Sequence, residues 1–182
     1  MRSSVTAFSG LAVLLSMVSW RAKIEDTLEA MLGQEVTFPH QALYVSNGQM
    51  SLQHGINEMR LDEPKLVYFF ASQNCTMCTI QKLKSINSSL LDAWFSPIFI
   101  MEIIDNLEDV KPDLITETRI DTDLTIIVDF NGSFAKDNTF LPKETEYHTF
   151  LIGKSRKILA VGDPLKRTSI RDLELKLSEM DK

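Results

Sequence analysis

The sequence predicts an α/β fold with a central mixed sheet flanked by helices, and three observations predict it. Leu66 to Ala71 is an unbroken apolar run containing Val67, Tyr68, Phe69 and Phe70. Pro97 to Ile104 is a second such run, and the segment between them, Thr79 to Leu91, reads as a helix. Short apolar runs of this kind suit strands buried on both faces. Strand, helix, strand then makes a βαβ unit with a right-handed crossover. Third, Tyr147 to Ile152 and Lys157 to Val161 flank Gly153-Lys154-Ser155-Arg156 and read as an antiparallel hairpin closing the sheet.

Residues 3–20 carry no charge and include Val5, Phe8, Leu11, Val13, Leu14, Leu15, Met17 and Val18, with Arg2 ahead of them. That length lies at the lower limit for crossing a bilayer. No small-x-small cleavage site follows it, so residues 1–22 read first as an uncleaved signal anchor and second as a cleaved signal peptide. Arg21 and Lys23 compete with Arg2 over orientation. The expected arrangement holds the domain outside the cytoplasm, periplasmic or extracytoplasmic, with the chain tied to the cell membrane.

Residues 23–60 form the expected stalk and extension. Ile24, Leu28, Met31 and Leu32 share one helical face, and Gly33 stops the helix. Val36 to Pro39 and Ala42 to Val45 read as short extended pieces, and Asn47-Gly48 as a turn. Gly55 to Glu63 is too mixed to assign. The main domain is expected over residues 61–182. After its βαβ unit, Leu107 to Thr118 reads as a helix that Pro112 weakens. Leu124 to Phe130 reads as the next strand, ended by Asn131-Gly132, and Phe134 to Phe140 as irregular chain or a short helix. Ile170, Leu173, Leu177 and Met180 form the stripe of a closing helix, Thr168 to Met180.

Composition narrows the function. The net charge is −6, and no cluster of Arg or Lys is interleaved with aromatics. Nucleic acid is therefore not an expected partner, because phosphate binding needs a basic surface. The chain has 2 cysteines, too few for a disulfide-stapled scaffold but enough for one redox pair. Cys75 and Cys78 stand three apart, just where the first strand gives way to a helix. Free N–H groups and the positive dipole end at a helix start favour a thiolate. A second thiol one turn on can attack a mixed disulfide formed at the first.

This segment resembles the thioredoxin superfamily. Phe70-Ala71-Ser72-Gln73-Asn74-Cys75-Thr76-Met77-Cys78 is similar to the Phe-x-Ala-x-Trp-Cys-x-x-Cys segment of membrane-tethered thiol-disulfide oxidoreductases of the TlpA/ResA type. Ile127 to Ala135, then Thr149 to Ile152, then Lys157 to Gly162 follow the order of that family's C-terminal half. The resemblance implies a thioredoxin-like fold over Leu61 to Lys182, with the N-terminal pieces as an extra hairpin beside the sheet. It implies that Cys75 attacks and Cys78 resolves. Asn74, Thr76, Met77, Tyr147 and His148 would line the substrate groove. The implied partners are protein thiols and disulfides, with a membrane reductase where the protein acts as a reductant. A redox-active Cys75–Cys78 disulfide would serve in place of a cofactor.

The chain also departs from the family. Asn74 stands where Trp precedes the first cysteine, and no acidic residue lies in Leu66 to Ala71. The family's cis-proline falls on Tyr147 or His148. A cis bond without proline costs about 3 kcal/mol, so a trans bond is expected there.

Two other readings use the same residues. Two thiolates and one imidazole suit copper, so Cys75, Cys78 and His148 form an alternative metal set. Tethered copper chaperones of the Sco type use such a trio, with cysteines one residue further apart. A fold kept only for interaction, without chemistry, is the third reading. His148 is otherwise a strand residue bonded to backbone or water. His40 and His54 fit no zinc spacing. Glu102 and Asp129, near strand ends, are candidate proton carriers or simply solvated.

Overall fold

The computed structural model describes residues 25–54, 61–71, 97–103, 107–120 and 125–162. The anchor segment, Asn74 to Cys78 and the expected helices Thr79 to Leu91 and Thr168 to Met180 lie outside these residues. His54 closes a strand, but its side chain is likewise outside the description.

Among the described residues seven strands form one mixed sheet, and we number them β1 to β7: Gln41–Ser46, Gln49–His54, Lys65–Phe70, Pro97–Glu102, Thr125–Asp129, Thr149–Ile152 and Ile158–Val161. The described helices are α1 over residues 25–31, α2 Leu107–Ile120 and α3 Ser133–Asp137. The strand order is β2-β1-β5-β4-β3-β6-β7. β3, β4 and β5 run parallel, with Phe69 opposite Ile100 and Ile100 opposite Ile127. β6 joins the other side of β3 antiparallel, and β7 pairs antiparallel with β6.

The parallel strands sit inside the sheet because both their faces are apolar. Leu66 to Phe69 and Ile98 to Met101 are all buried. Successive side chains leave on opposite faces, so each run feeds two cores. Leu66, Tyr68, Phe99 and Met101 pack with Leu114 of α2 on one face. Val67, Phe69, Ile98 and Ile100 pack on the other with Met31, Phe38, Phe134 and Phe150. Each such side chain contributes about 1.5–3 kcal/mol of burial, an upper estimate.

The hairpin β1–β2 turns at Asn47-Gly48, both at positive φ, and adds to the sheet antiparallel to β5. The strand Gln49–His54 extends beyond the extended pieces read from the sequence. Its alternation is weak because it is an edge strand, with Ser51, Leu52 and Gln53 exposed. Val36 to Pro39 forms no strand. The isolated bridge Glu35 to Lys157 lies just ahead of it, and Val36 N donates to Arg156 O at 2.9 Å.

Other boundaries shift for local reasons. Leu32 shares the apolar stripe of α1 but is 41% exposed. The helix ends at residue 31, and Gly33 at φ 77 redirects the chain. α2 runs through Pro112 to Ile120. Proline removes one hydrogen bond but fixes a helical φ, and the buried Leu114 holds the following turn. Pro97 to Ile104 shortens to Pro97–Glu102.

Two buried polar residues tie the loops beyond β5. Asp129 Oδ2 accepts from Phe134 N at 2.7 Å, while Oδ1 accepts from Asn131 N and Ser133 Oγ at 3.3 and 3.2 Å. Asn138 donates to the Thr37 carbonyl at 2.7 Å and accepts from Thr37 N at 2.8 Å.

Candidate functional site

A cleft of about 490 Å³ opens at the C-terminal end of β3. Phe69, Ala71, Ala135, Leu141 and Pro142 supply its apolar surface. Glu102, Lys143, Thr145 and His148 supply the polar groups. Ala71 is the last described residue before the segment that carries Cys75 and Cys78.

The sequence pattern begins a strand at Tyr147 and His148. They form instead the end of a 3₁₀ turn, Thr145–Tyr147, and its C-cap. Tyr147 N donates to Glu144 O and His148 N to Thr145 O, both at 3.2 Å. Those local bonds use the N–H groups that a ladder would need, so β6 starts only at Thr149. The His148 carbonyl still faces the sheet and accepts from Phe69 N at 2.9 Å. Every peptide bond among the described residues is trans.

The ring of His148 is buried, with its centroid 5.1 Å from that of Phe69. Its Nε2 lies 2.8 Å from the Pro142 carbonyl oxygen. A carbonyl only accepts, so Nε2 carries the proton and Nδ1 of the neutral ring carries a lone pair. Nδ1 is buried and has no hydrogen-bond partner. Burial pushes the imidazole below its usual 6.5, against a smaller opposing effect of the Pro142 bond. His148 is thus a backbone-bonded histidine, as one reading held, but with its second nitrogen unused.

The two candidate proton carriers separate. Asp129 is fully buried, and its carboxylate is occupied by the turn into α3. Glu102 reaches the cleft. Its placement depends on Gly132, which adopts φ 61, and a Cβ there would stand 2.5 Å from Glu102 Oε1. His40 is exposed. No group of three His, Cys, Asp or Glu donors occurs among the described residues. Asn74, Cys75, Thr76, Met77 and Cys78 lie outside them.

Lys143 and Leu141 carry no periodic signal in the sequence that marks them for the cleft. They sit in a loop without periodicity, and only the 3₁₀ turn brings them against β3. The Leu-Pro step at 141–142 was the available signal, since Pro142 offers a carbonyl but no N–H.

No family model matches the chain, and no curated protein does. Solved structures do. A protein of Aquifex aeolicus VF5 described as functioning in electron transfer is 14% identical, covers 80% of this chain and 96% of its own, and has a TM-score of 0.50. AhpC from Enterococcus faecalis is 16% identical over 83% of this chain and 92% of its own, with a TM-score of 0.49. An uncharacterized thioredoxin-like protein from Porphyromonas gingivalis is 19% identical over 80% and 92%, with a TM-score of 0.42. At such identity a likeness shows the fold. Parallel β3 and β4 with the hairpin β6–β7 added beside β3 give the same answer from topology: the chain has a thioredoxin-like α/β fold.

Proposed function

We propose that the protein exchanges thiols and disulfides with partner proteins through Cys75 and Cys78, as a membrane-tethered, extracytoplasmic oxidoreductase of the TlpA/ResA type. One observation carries the reading. The cleft with the buried His148 opens beside Ala71, and Cys75 follows four residues later. Four residues span at most about 14 Å, so the cleft lies within reach of the dithiol segment.

In the reducing direction, the Cys75 thiolate attacks one sulfur of a partner disulfide. A mixed disulfide forms, and the partner's other sulfur leaves as a thiolate. Cys78 then gives up its proton and attacks Cys75, which releases the partner's second thiolate. The partner gains two electrons, with one proton from Cys78 and one from solvent, and Cys75–Cys78 becomes the disulfide. The reverse sequence oxidises the partner. A reduction potential near −120 mV would mark an oxidant, and one near −270 mV a reductant, by comparison with known dithiol proteins.

The test is capture. Cys78→Ser in the full chain should trap partner proteins as mixed disulfides that a reductant releases, and Cys75→Ser should trap none. A Cys75 thiol that reacts no faster than a model peptide would overturn the reading.

The unused lone pair of His148 Nδ1 favours a second reading, copper binding by Cys75, Cys78 and His148. Protein purified under reducing conditions would then hold stoichiometric copper, and His148→Ala would lose it.

A further inference from the structure

The two edges of the sheet are finished differently. β7, at one edge, has 4 residues and a register irregularity against β6. The segment before β1 also covers its start: Gly33 N donates to Ile158 O, Ile158 N to Gln34 O and Val36 N to Arg156 O, each at 2.9 Å. Short, irregular or covered strands keep an edge from pairing with another molecule. β2, at the other edge, has none of these devices. Its 6 residues, Gln49-Met50-Ser51-Leu52-Gln53-His54, pair with β1 in unbroken register and include no Lys, Arg, Asp, Glu or Pro. Leu52 is 48% exposed, and no described strand lies beyond it.

We propose that β2 pairs with β2 of a second copy of this chain, antiparallel and centred on Leu52, so that the two sheets become one. The register follows from the hairpin. Asn47 and Gly48, both at positive φ, make a two-residue turn in which Ser46 and Gln49 exchange both main-chain hydrogen bonds. Bonded pairs alternate along an antiparallel ladder, so Gln49, Ser51 and Gln53 direct their N–H and C=O groups at β1. Met50, Leu52 and His54 turn theirs outward. That set is symmetric about Leu52. A two-fold axis there sets Leu52 opposite its own copy and Met50 opposite His54, and every one of these positions bonds in both directions. The side chains fit the same register. The two exposed leucines meet and leave water. On the other face Ser51 comes opposite Gln53, and these side chains already bond within one strand, Gln53 Nε2 to Ser51 Oγ at 3.2 Å. The chain carries a net charge of −6, yet no carboxylate of one strand meets a carboxylate of the other. A foreign peptide would need a matching alternation, whereas a second copy supplies it by symmetry. β1, β5 and β4 separate β2 from β3, so both clefts stay open.

The test uses the full chain in mild detergent, which keeps its apolar N-terminal run dissolved. Amide hydrogen exchange and sedimentation are followed from about 1 µM to 0.5 mM, because so short an edge makes a weak dimer. At the high end, exchange at Met50, Leu52 and His54 should slow by roughly tenfold or more, while Ser51 and Gln53, already bonded to β1, change little. Leu52→Lys, at a half-exposed position, should keep the circular dichroism of the fold and abolish both the dimer and the concentration dependence. A monomer throughout overturns the proposal, and so does association that Leu52→Lys leaves intact. Outward amides protected at every concentration in a monomer would mean that a segment of the same chain covers β2, which also overturns it.

Discussion

Phe69 and His148 meet twice. The Phe69 N–H donates to the His148 carbonyl at 2.9 Å, and the two rings pack with centroids 5.1 Å apart. The backbone bond extends the pairing of β3 with β6 by one step past Tyr68 and Thr149. The ring contact then turns the imidazole away from water. A titratable side chain is held in an apolar wall by a strand that the core has already ordered.

That burial makes stability depend on acid. The folded-state pKa of His148 is lowered by desolvation, while in the unfolded chain it returns to about 6.5. Between those values the unfolded chain binds more protons, so stability rises with pH. The contribution is complete above about pH 6.5 and is lost as pH falls through the folded-state pKa. Denaturant titrations from pH 4 to 8 should show this slope, and His148→Phe should flatten it in that window.

Asn138 and Thr37 hold together segments 101 residues apart by two hydrogen bonds. Asn138→Ala would leave the Thr37 N–H and C=O without these partners. Each unsatisfied buried group costs about 1–3 kcal/mol, so a loss of about 2–6 kcal/mol is expected in equilibrium unfolding. Asn138→Asp keeps the acceptor for Thr37 N but sets a carboxylate oxygen against the Thr37 and Phe134 carbonyls, so it should lose at least as much.

Gly132 needs its left-handed φ of 61 and the space that Glu102 fills. Gly132→Ala should cost about 1–2 kcal/mol from the backbone alone. It should also push the Glu102 carboxylate aside. A structure of the variant would show Glu102 displaced at the cleft, with the sheet unchanged.

Asp129 separates structural from chemical roles. Asp129→Ala removes the acceptor for Phe134 N, Asn131 N and Ser133 Oγ. A loss of about 2–4 kcal/mol is expected, because hydrogen bonds to a charged group are worth about 1.5–3 kcal/mol each and water recovers part. The exchange rate of the dithiol, measured well below the melting temperature, should not change.

Much of the fold is legible in the sequence, because strands buried on both faces leave continuous apolar runs. Leu66 to Phe69, Ile98 to Met101 and Ile126 to Val128 were visible for that reason, and so was the hairpin across Gly153 to Arg156. Edge pieces were less visible. Gln49–His54 buries too little to show a pattern, and Val36, Phe38 and Pro39 are apolar because their side chains are buried, although the segment joins no strand.

The sequence by itself determined the mixed sheet and its main strands, and in the chain a Cys-x-x-Cys follows four residues after Ala71. These follow from local apolar runs and spacing, which any chain with that order must satisfy. Only the tertiary structure decided which polar residue serves which end: Asp129 for the turn into α3, Glu102 for the cleft. It alone decided the tautomer of His148, since that depends on the Pro142 carbonyl six residues back being folded over to meet Nε2. Partners brought together by a turn or across the sheet leave no period in the chain, so their hydrogen bonds are written in space.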